Sequence, residues 1–257
     1  MEKYTVSNLD SNTIKSAYQQ AKNNFTEKNF TDLDLIFKIA LNNTSLFPII
    51  NLSTSDDPNN PSNYFRRWIN NYFNEINKLP SQREAKPKST CDDPAIERIV
   101  KGTHNLSIKK VVFGNYYHNL FMSAENILGN LLEEYIADRI RPYGFIWCAG
   151  HVLRAVDFCN TDGSLLLQVK NRSNTENSSS SNIREGTNIE KWYRLSTTKK
   201  KGKINPKFQW KELNKLIDEN RTEEIMLPPC QMTEDDYENF LDTVAKNNPK
   251  LITNQYN

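Results

Sequence analysis

No stretch of this chain is apolar over the roughly 18 residues a membrane-spanning helix needs. The amino-terminal MEKYTVSNLD holds no hydrophobic leader segment. A cytoplasmic protein that does not engage a membrane is the expectation. Cysteine is sparse and scattered: Cys91, Cys148, Cys159 and Cys230 include no C-x-x-C pair. Neither a zinc site nor a disulfide frame is indicated, and the four read as reduced, packed thiols. The three histidines, His104, His118 and His151, lack the spacing of metal ligands. Glycine is also scarce, with 8 in 257 residues, and no internal repeat is evident.

Asn, Ser and Lys are abundant instead. The excess of Asn, Lys and Ile is what an A+T-rich genome encodes, so it carries no functional weight. The chain is long enough to bury a substantial core, as one large α/β domain or as a domain with a helical extension. Its net charge is only +2, but the charge is unevenly spread. From Lys191 to Lys211 eight cations occur without a single acid, on an otherwise mildly acidic body. Such a stripe is the electrostatic footprint of a nucleic-acid contact surface, although a solvated lysine face gives the same count.

The first 120 residues read as mostly helical, with elements over Ile14–Phe25, Leu33–Leu41 and Tyr64–Ile76. In the last of these Tyr64, Phe65, Trp68, Ile69, Tyr72, Phe73 and Ile76 recur at helical spacing, as a core-packing stripe does. From Ser123 a long amphipathic helix is expected, capped by that serine and stopped by Pro142 and Gly144. FIWCAG and HVLRAVDF then read as strands, Asn160 to Gly163 as a turn, and SLLLQVK as another strand. A helix around Ile189 to Leu195, a strand EEIML and a helix from about Glu234 to Ala245 close the chain. The division expected is a helical region over 1–120 that packs on or wraps a core over 121–257.

The stretch VDFCNTDGSLLLQVK poses the chemical question. In a strand alternate residues share a face, so Gln168 and Lys170 are neighbours on one side of SLLLQVK. If the preceding strand ends at Asp157 and turns back, its carboxylate reaches the same place. Polar groups at the tip of a core strand cost burial energy unless something polar meets them. Asp157, the side-chain oxygen of Gln168 and the backbone carbonyl of Val169 form a hard oxygen set suited to Mg²⁺. Lys170 would then orient a water or offset charge on a phosphate.

Asp157, ten intervening residues, then Gln168-Val169-Lys170 resembles the PD-(D/E)xK nuclease signature. Glutamine stands where an acid is usual, which keeps an oxygen and removes a charge. The surrounding ENILGNLLEEYIADRI, GFIWCAGHVLRAVDF, LLLQVKNRSNTENSSSS, IREGT and IEKWYR resemble the SinI family of type II restriction endonucleases, from about Ser123 to Trp210. That resemblance implies an α/β (α+β) fold, a restriction-endonuclease-like central mixed sheet flanked by helices. It also implies Mg²⁺-dependent cleavage of double-stranded DNA at 5′-GG(A/T)CC-3′, and a DNA methyltransferase protecting host DNA. Asp157, Gln168 and Lys170 would be its catalytic set. Related nuclease folds place a glutamate on the preceding helix, where Glu133 is the candidate and Glu125 stands behind it, though both also suit a solvent-facing helix.

The segment after the catalytic strand suits base reading. Arg172 and Arg184 can donate to guanine, Asn174, Asn177 and Asn188 can pair with adenine or phosphates, and Glu176 or Glu185 can accept from cytosine. Lys191, Trp192, Arg194 and the KKKGK run look more like backbone contacts. A palindromic target favours a two-fold homodimer, for which the helix over Tyr64–Ile76 is one candidate surface. Two other readings remain open at this point: a DNA-binding protein with a degenerate nuclease site, and a repair nuclease using the same residues.

Overall fold

The computed structural model describes residues 3–54, 56–57, 59–85, 93–172, 188–200, 203–222 and 226–252. Three amino-terminal helices come first: α1 (Ser11–Lys22), α2 (Thr31–Asn42) and α3 (Pro61–Asn77). The Asp10 carboxylate caps α1 by accepting from the amides of Asn12 and Thr13, and Asn60 with Pro61 starts α3 in the same local manner. Short strands β1 (Lys3–Tyr4) and β2 (Ile50–Asn51) pair antiparallel beside them. The aromatic stripe of α3 is core: Tyr64, Phe65, Trp68 and Ile69 are wholly buried, and Tyr72 and Phe73 nearly so. This excludes that face as a dimer surface.

After α4 (Pro94–His104) comes one long helix, α5 (Ile108–Ile140). Its 33 residues extend about 50 Å at 1.5 Å per residue. The helix expected from Ser123 therefore starts much earlier, and it crosses position 120, where the division into two regions was expected. Ser123 does not cap it. Its side chain is buried mid-helix and its Oγ donates back to the Asn119 carbonyl at 2.9 Å, a use of serine that no sequence pattern separates from capping.

The main sheet runs β3 (Phe145–Trp147), β4 (Phe158–Asn160), β5 (Leu166–Arg172), β6 (Ile189–Lys200) and β7 (Lys203–Phe208) in that spatial order. Only the β5–β6 pair is parallel, so the sheet is mixed. The stretch over Ile189–Leu195, expected as a helix, is strand β6. Its β-branched and aromatic residues pair along the whole of β5, and tertiary pairing decides the conformation. Helices α6 (Trp210–Asn220), not among the expected elements although Trp210, Leu213 and Ile217 stand at helical spacing, and α7 (Glu234–Asn247) finish the fold. Of the strand expected over 223–227, only Met226 and Leu227 are described, and they lie outside any strand.

Alternation along β5 divides two cores. Leu166 joins Ile146, Cys148 and Cys159 in packing against α1, α2 and α3. Leu165, Leu167 and Val169 face the other way, into a cluster with Tyr135 and Ile136 of α5, Trp210 and Leu213 of α6, and Tyr237 of α7. The helical amino-terminal region thus covers one face of the sheet and the carboxy-terminal helices cover the other.

Candidate active site

Strands were expected over 145–150 and 151–158, but the segment between β3 and Phe158, where β4 begins, is a one-turn 3-10 helix followed by turns. Its backbone partners lie in the amino-terminal helices. Trp68 Nε1 donates to the Val152 carbonyl at 2.7 Å, and the Arg154 amide donates to the Leu46 carbonyl at 2.8 Å. Gly150, at φ 73°, sits so close to α3 that a Cβ would lie 2.4 Å from the Asn71 carbonyl oxygen. Val152, Leu153 and Val156, which read as strand apolars, fill the first core instead. These contacts fix the residue that follows.

That residue is Asp157. Its amide donates to the Leu167 carbonyl and its carbonyl accepts from the Cys148 amide, both at 2.8 Å, so its backbone is held between β3 and β5. Its Oδ2 accepts from the Val169 amide at 2.7 Å. The N–H and C=O of one extended residue point the same way, so the Val169 carbonyl lies on the Asp157 side of β5. Phe158 pairs with Leu167, and Asp157 follows at the end of that ladder, with its amide on the Leu167 carbonyl and its carboxylate on the Val169 amide, so it spans the level of Gln168. Gln168 is buried, at 3% exposure, while Lys170 is half-buried and lines a cleft.

The cleft has a volume of about 480 Å³ at the carboxy-terminal end of β5, and Glu125, Glu133, His151, Lys170, Asn171 and Arg172 contribute to its walls. Glu125 and Glu133 come from the same face of α5, two helical turns apart. Trp147 Nε1 donates to Glu133 Oε2 at 3.3 Å, a contact with no sequence signature. Burial pushes the Glu133 carboxyl well above the usual carboxylate range, and the Asp157 charge adds to this; the Trp147 hydrogen bond and Lys170 oppose it. Burial likewise raises Asp157, against the Val169 amide, Lys170 and His151.

Glu133, Asp157 and Lys170 therefore act on one another in one place, with Gln168 beside them. Two half-buried carboxylates, the Asp157 charge raising Glu133, with hard oxygen atoms nearby, make a donor set that a divalent cation of the Mg²⁺ class fits. Among the described residues no group of three or more His, Cys, Asp or Glu side chains is placed to hold a metal ion. The set is two acids, an amide and a backbone carbonyl.

The residues expected to touch DNA separate more widely. Arg172 stands at the cleft mouth, 3.6 Å from Glu125. Lys191 lies beside Gln168 across the β5–β6 pair, with its Nζ 4.8 Å from the Tyr193 ring. Asn188 is elsewhere: it donates to the Ser164 carbonyl at 3.0 Å and fastens the other end of the two strands, roughly 16 Å from Lys170 by strand rise. Trp192, expected among the backbone contacts, is buried in the second core with its Nε1 donating to the Gln209 carbonyl at 2.8 Å, and Arg194, expected beside it, is buried at 8% exposure. It pairs with Glu234, donates to Asn171 Oδ1 at 2.8 Å and stacks over Tyr237, so it joins β6 to α7 and is not available to a phosphate. Asn174, Glu176, Asn177, Arg184 and Glu185 lie outside the described residues. Beyond Leu195, β6 and β7 form a ribbon, and β7 is exposed at every position.

A family model described as SinI restriction endonuclease matches residues 66–225 of this chain. The chain is similar to the type II restriction enzyme Eco47I of Escherichia coli, with 44% identity over 121 residues, covering 46% of this chain and 52% of that protein. It is also similar to the type II restriction enzyme SinI of Salmonella infantis, with 42% identity over 126 residues, covering 48% of this chain and 54% of that protein. The chain thus spans about half the length of the curated relatives it matches. With the family model matched over more than half of its length, around a mixed sheet flanked by helices, the chain belongs to the SinI restriction endonuclease family.

Proposed function

We propose that this chain is a type II restriction endonuclease, hydrolysing phosphodiesters of double-stranded DNA with Mg²⁺ at a short palindrome, 5′-GG(A/T)CC-3′. The observation that carries the reading is the meeting of Glu133, Asp157 and Lys170 at the end of β5, where Glu133 and Lys170 line an open cleft. Family membership and the names of both relatives support it.

Asp157 and Gln168 would hold the cation, with the Val169 carbonyl as a further oxygen and Glu133 facing them from α5. When bound, Mg²⁺ supplies Lewis-acid polarisation of the phosphate and acidifies water. Lys170, a compact point charge, orients the attacking water and offsets the charge gathering on the phosphate oxygens. The new bond joins the water oxygen to phosphorus, the bond to the 3′ oxygen breaks, and the water's proton ends on the departing hydroxyl. The ends are 5′-phosphate and 3′-hydroxyl.

The β6–β7 ribbon supports DNA as substrate. Because β6 runs parallel to β5, it continues past the level of Arg172 by five residues, roughly 16 Å, beyond the cleft. Lys199, Lys203 and Lys207 are exposed on it. A two-stranded ribbon fits the major groove, and lysines along it would hold the adjacent phosphates. A methyltransferase protecting the same sequence would complete the system, and a palindrome calls for two copies of the chain.

One observation favours a second reading. Glutamine at 168 in place of an acid lowers the charge facing a cation, which fits a DNA-binding protein without catalysis. Unmethylated plasmid incubated with the purified protein, with and without Mg²⁺ and beside Lys170→Ala, separates the two. Discrete Mg²⁺-dependent fragments ending at 5′-GG(A/T)CC-3′, lost in the variant, are expected. Retarded DNA without cutting would overturn the nuclease reading, and cutting only at damaged or structured DNA would make it a repair enzyme.

A further inference from the structure

We propose that the imidazole of His151 is a substrate contact, donating from Nε2 to a backbone phosphate that neighbours the scissile one on the cleaved DNA strand. This rests on the nuclease reading above and adds a residue to it. His151 is exposed and lines the same cleft as Glu133, Lys170 and Arg172. Among the described residues its ring makes no hydrogen bond.

The backbone imposes that placement. At φ 54° His151 lies in the left-handed region, uncommon for a residue with a Cβ, directly after Gly150 at 73°. Gly150 is pressed against α3, where a Cβ would meet the Asn71 carbonyl, while Val152 is wholly buried and its carbonyl accepts from Trp68 Nε1. Both neighbours are anchored to the amino-terminal helices, and His151 alone of the three is exposed. A strained backbone that its surroundings enforce at a cleft points to a use for the side chain it presents.

The chemistry of the cleft selects the use. A histidine near two carboxylates suits a metal site, yet among the described residues His, Cys, Asp and Glu are nowhere grouped in threes to hold an ion. The charge of His151 acts on Asp157, which sets the ring near the scissile position and outside the ligand set. What the ring offers there is an N–H, carried by the neutral and the charged imidazole alike, so the contact does not depend on its titration. A phosphate oxygen is a strong acceptor for such a donor.

His151→Gly removes the ring and suits the left-handed backbone, so it should melt close to the wild type. Fluorescence anisotropy, with Ca²⁺ in place of Mg²⁺, reads binding to a duplex holding 5′-GGACC-3′ and to copies in which one phosphate at a time is a neutral methylphosphonate. The variant is expected to bind the unmodified duplex at least ~10-fold more weakly. At one phosphate beside the cut, the methylphosphonate should weaken the wild type by a similar factor and the variant not at all, as two partners of one contact behave. His151→Asn, which tolerates the same backbone and stops short of Nε2, should show the same pattern. Wild-type affinity in both variants, or losses that add at every phosphate, would overturn the contact. Plasmid cutting by the wild type in that case would leave the nuclease reading standing. Coupling at one phosphate in a protein that never cuts DNA would keep the contact and remove the nuclease.

Discussion

The two ends of β5 are built from similar polar residues and put them to different uses. At the amino-terminal end Asn160 is buried, its Oδ1 accepting from the Leu165 amide at 2.9 Å and its Nδ2 donating to Ser164 Oγ at 2.8 Å, while Asn188 closes the start of β6. These groups are partnered with one another, and the one acid beside them, Asp162, closes the turn by accepting from the Ser164 amide at 2.9 Å. At the carboxy-terminal end the groups are Asp157, Glu133 and Lys170, with both carboxyls raised by burial and an open cleft before them. One end holds the strands together; the other stores electrostatic cost.

The largest effects should fall at the charged end and on cleavage alone. Lys170→Ala and Asp157→Asn are each expected to lower the rate of plasmid cutting by at least about 100-fold, with a melting temperature no lower than that of the metal-free wild type. A large loss of stability in Asp157→Asn would mean that the carboxylate is structural and the two ends are alike.

Next comes Trp68→Ala, which removes a wholly buried side chain and the donor to Val152. It should cost about 3–5 kcal/mol in denaturant unfolding. At the sealed end Asn160→Ala should cost about 1–3 kcal/mol, leaving the cutting rate of the folded protein unchanged. A catalytic defect in Asn160→Ala without a stability change would break the comparison.

Glu133→Gln sharpens it. A carboxyl whose folded pKa is raised holds its proton to higher pH than in the unfolded chain, so stability is present below the unfolded value and falls as pH rises through the folded one. The metal-free variant should therefore melt higher than the wild type at pH 8, with the gain shrinking toward pH 4, while its cleavage falls. A gain independent of pH would mean that the charge carries no cost.

The smallest effect belongs to the ribbon. Lys199→Ala/Lys203→Ala should weaken DNA binding at low salt with the cutting pattern intact, lowering the slope of log affinity against log salt by about 2.

Much of the site could be read from the chain because it depends on short-range order. Alternation along SLLLQVK set Gln168 and Lys170 against Leu165, Leu167 and Val169, and the faces in the structure follow it. The turn at Asn160 to Gly163 was equally local, with the Gly163 amide donating to the Asn160 carbonyl at 3.1 Å. What could not be read was set by distant partners. The apolar residues of 151–158 suited a strand until Trp68 and Leu46 took up the backbone hydrogen bonds. Arg194 counted as part of a basic stripe until Glu234, 40 residues on, claimed it. The apolar row of α3 is core, while Phe113, Tyr117 and Phe121 recur every four residues on α5 and are exposed; periodicity does not say what covers a residue.

The bond from Trp68 to Val152 joins residues 84 positions apart in the chain. Contacts of such span form late in folding, because the loop must close before it is rewarded. The turn that presents Asp157 is thus held by the docked amino-terminal helices, through Trp68 and Leu46. A chain cut between α3 and α5 would carry Glu133, Asp157, Gln168 and Lys170 and still lack the contacts that hold the turn before Asp157.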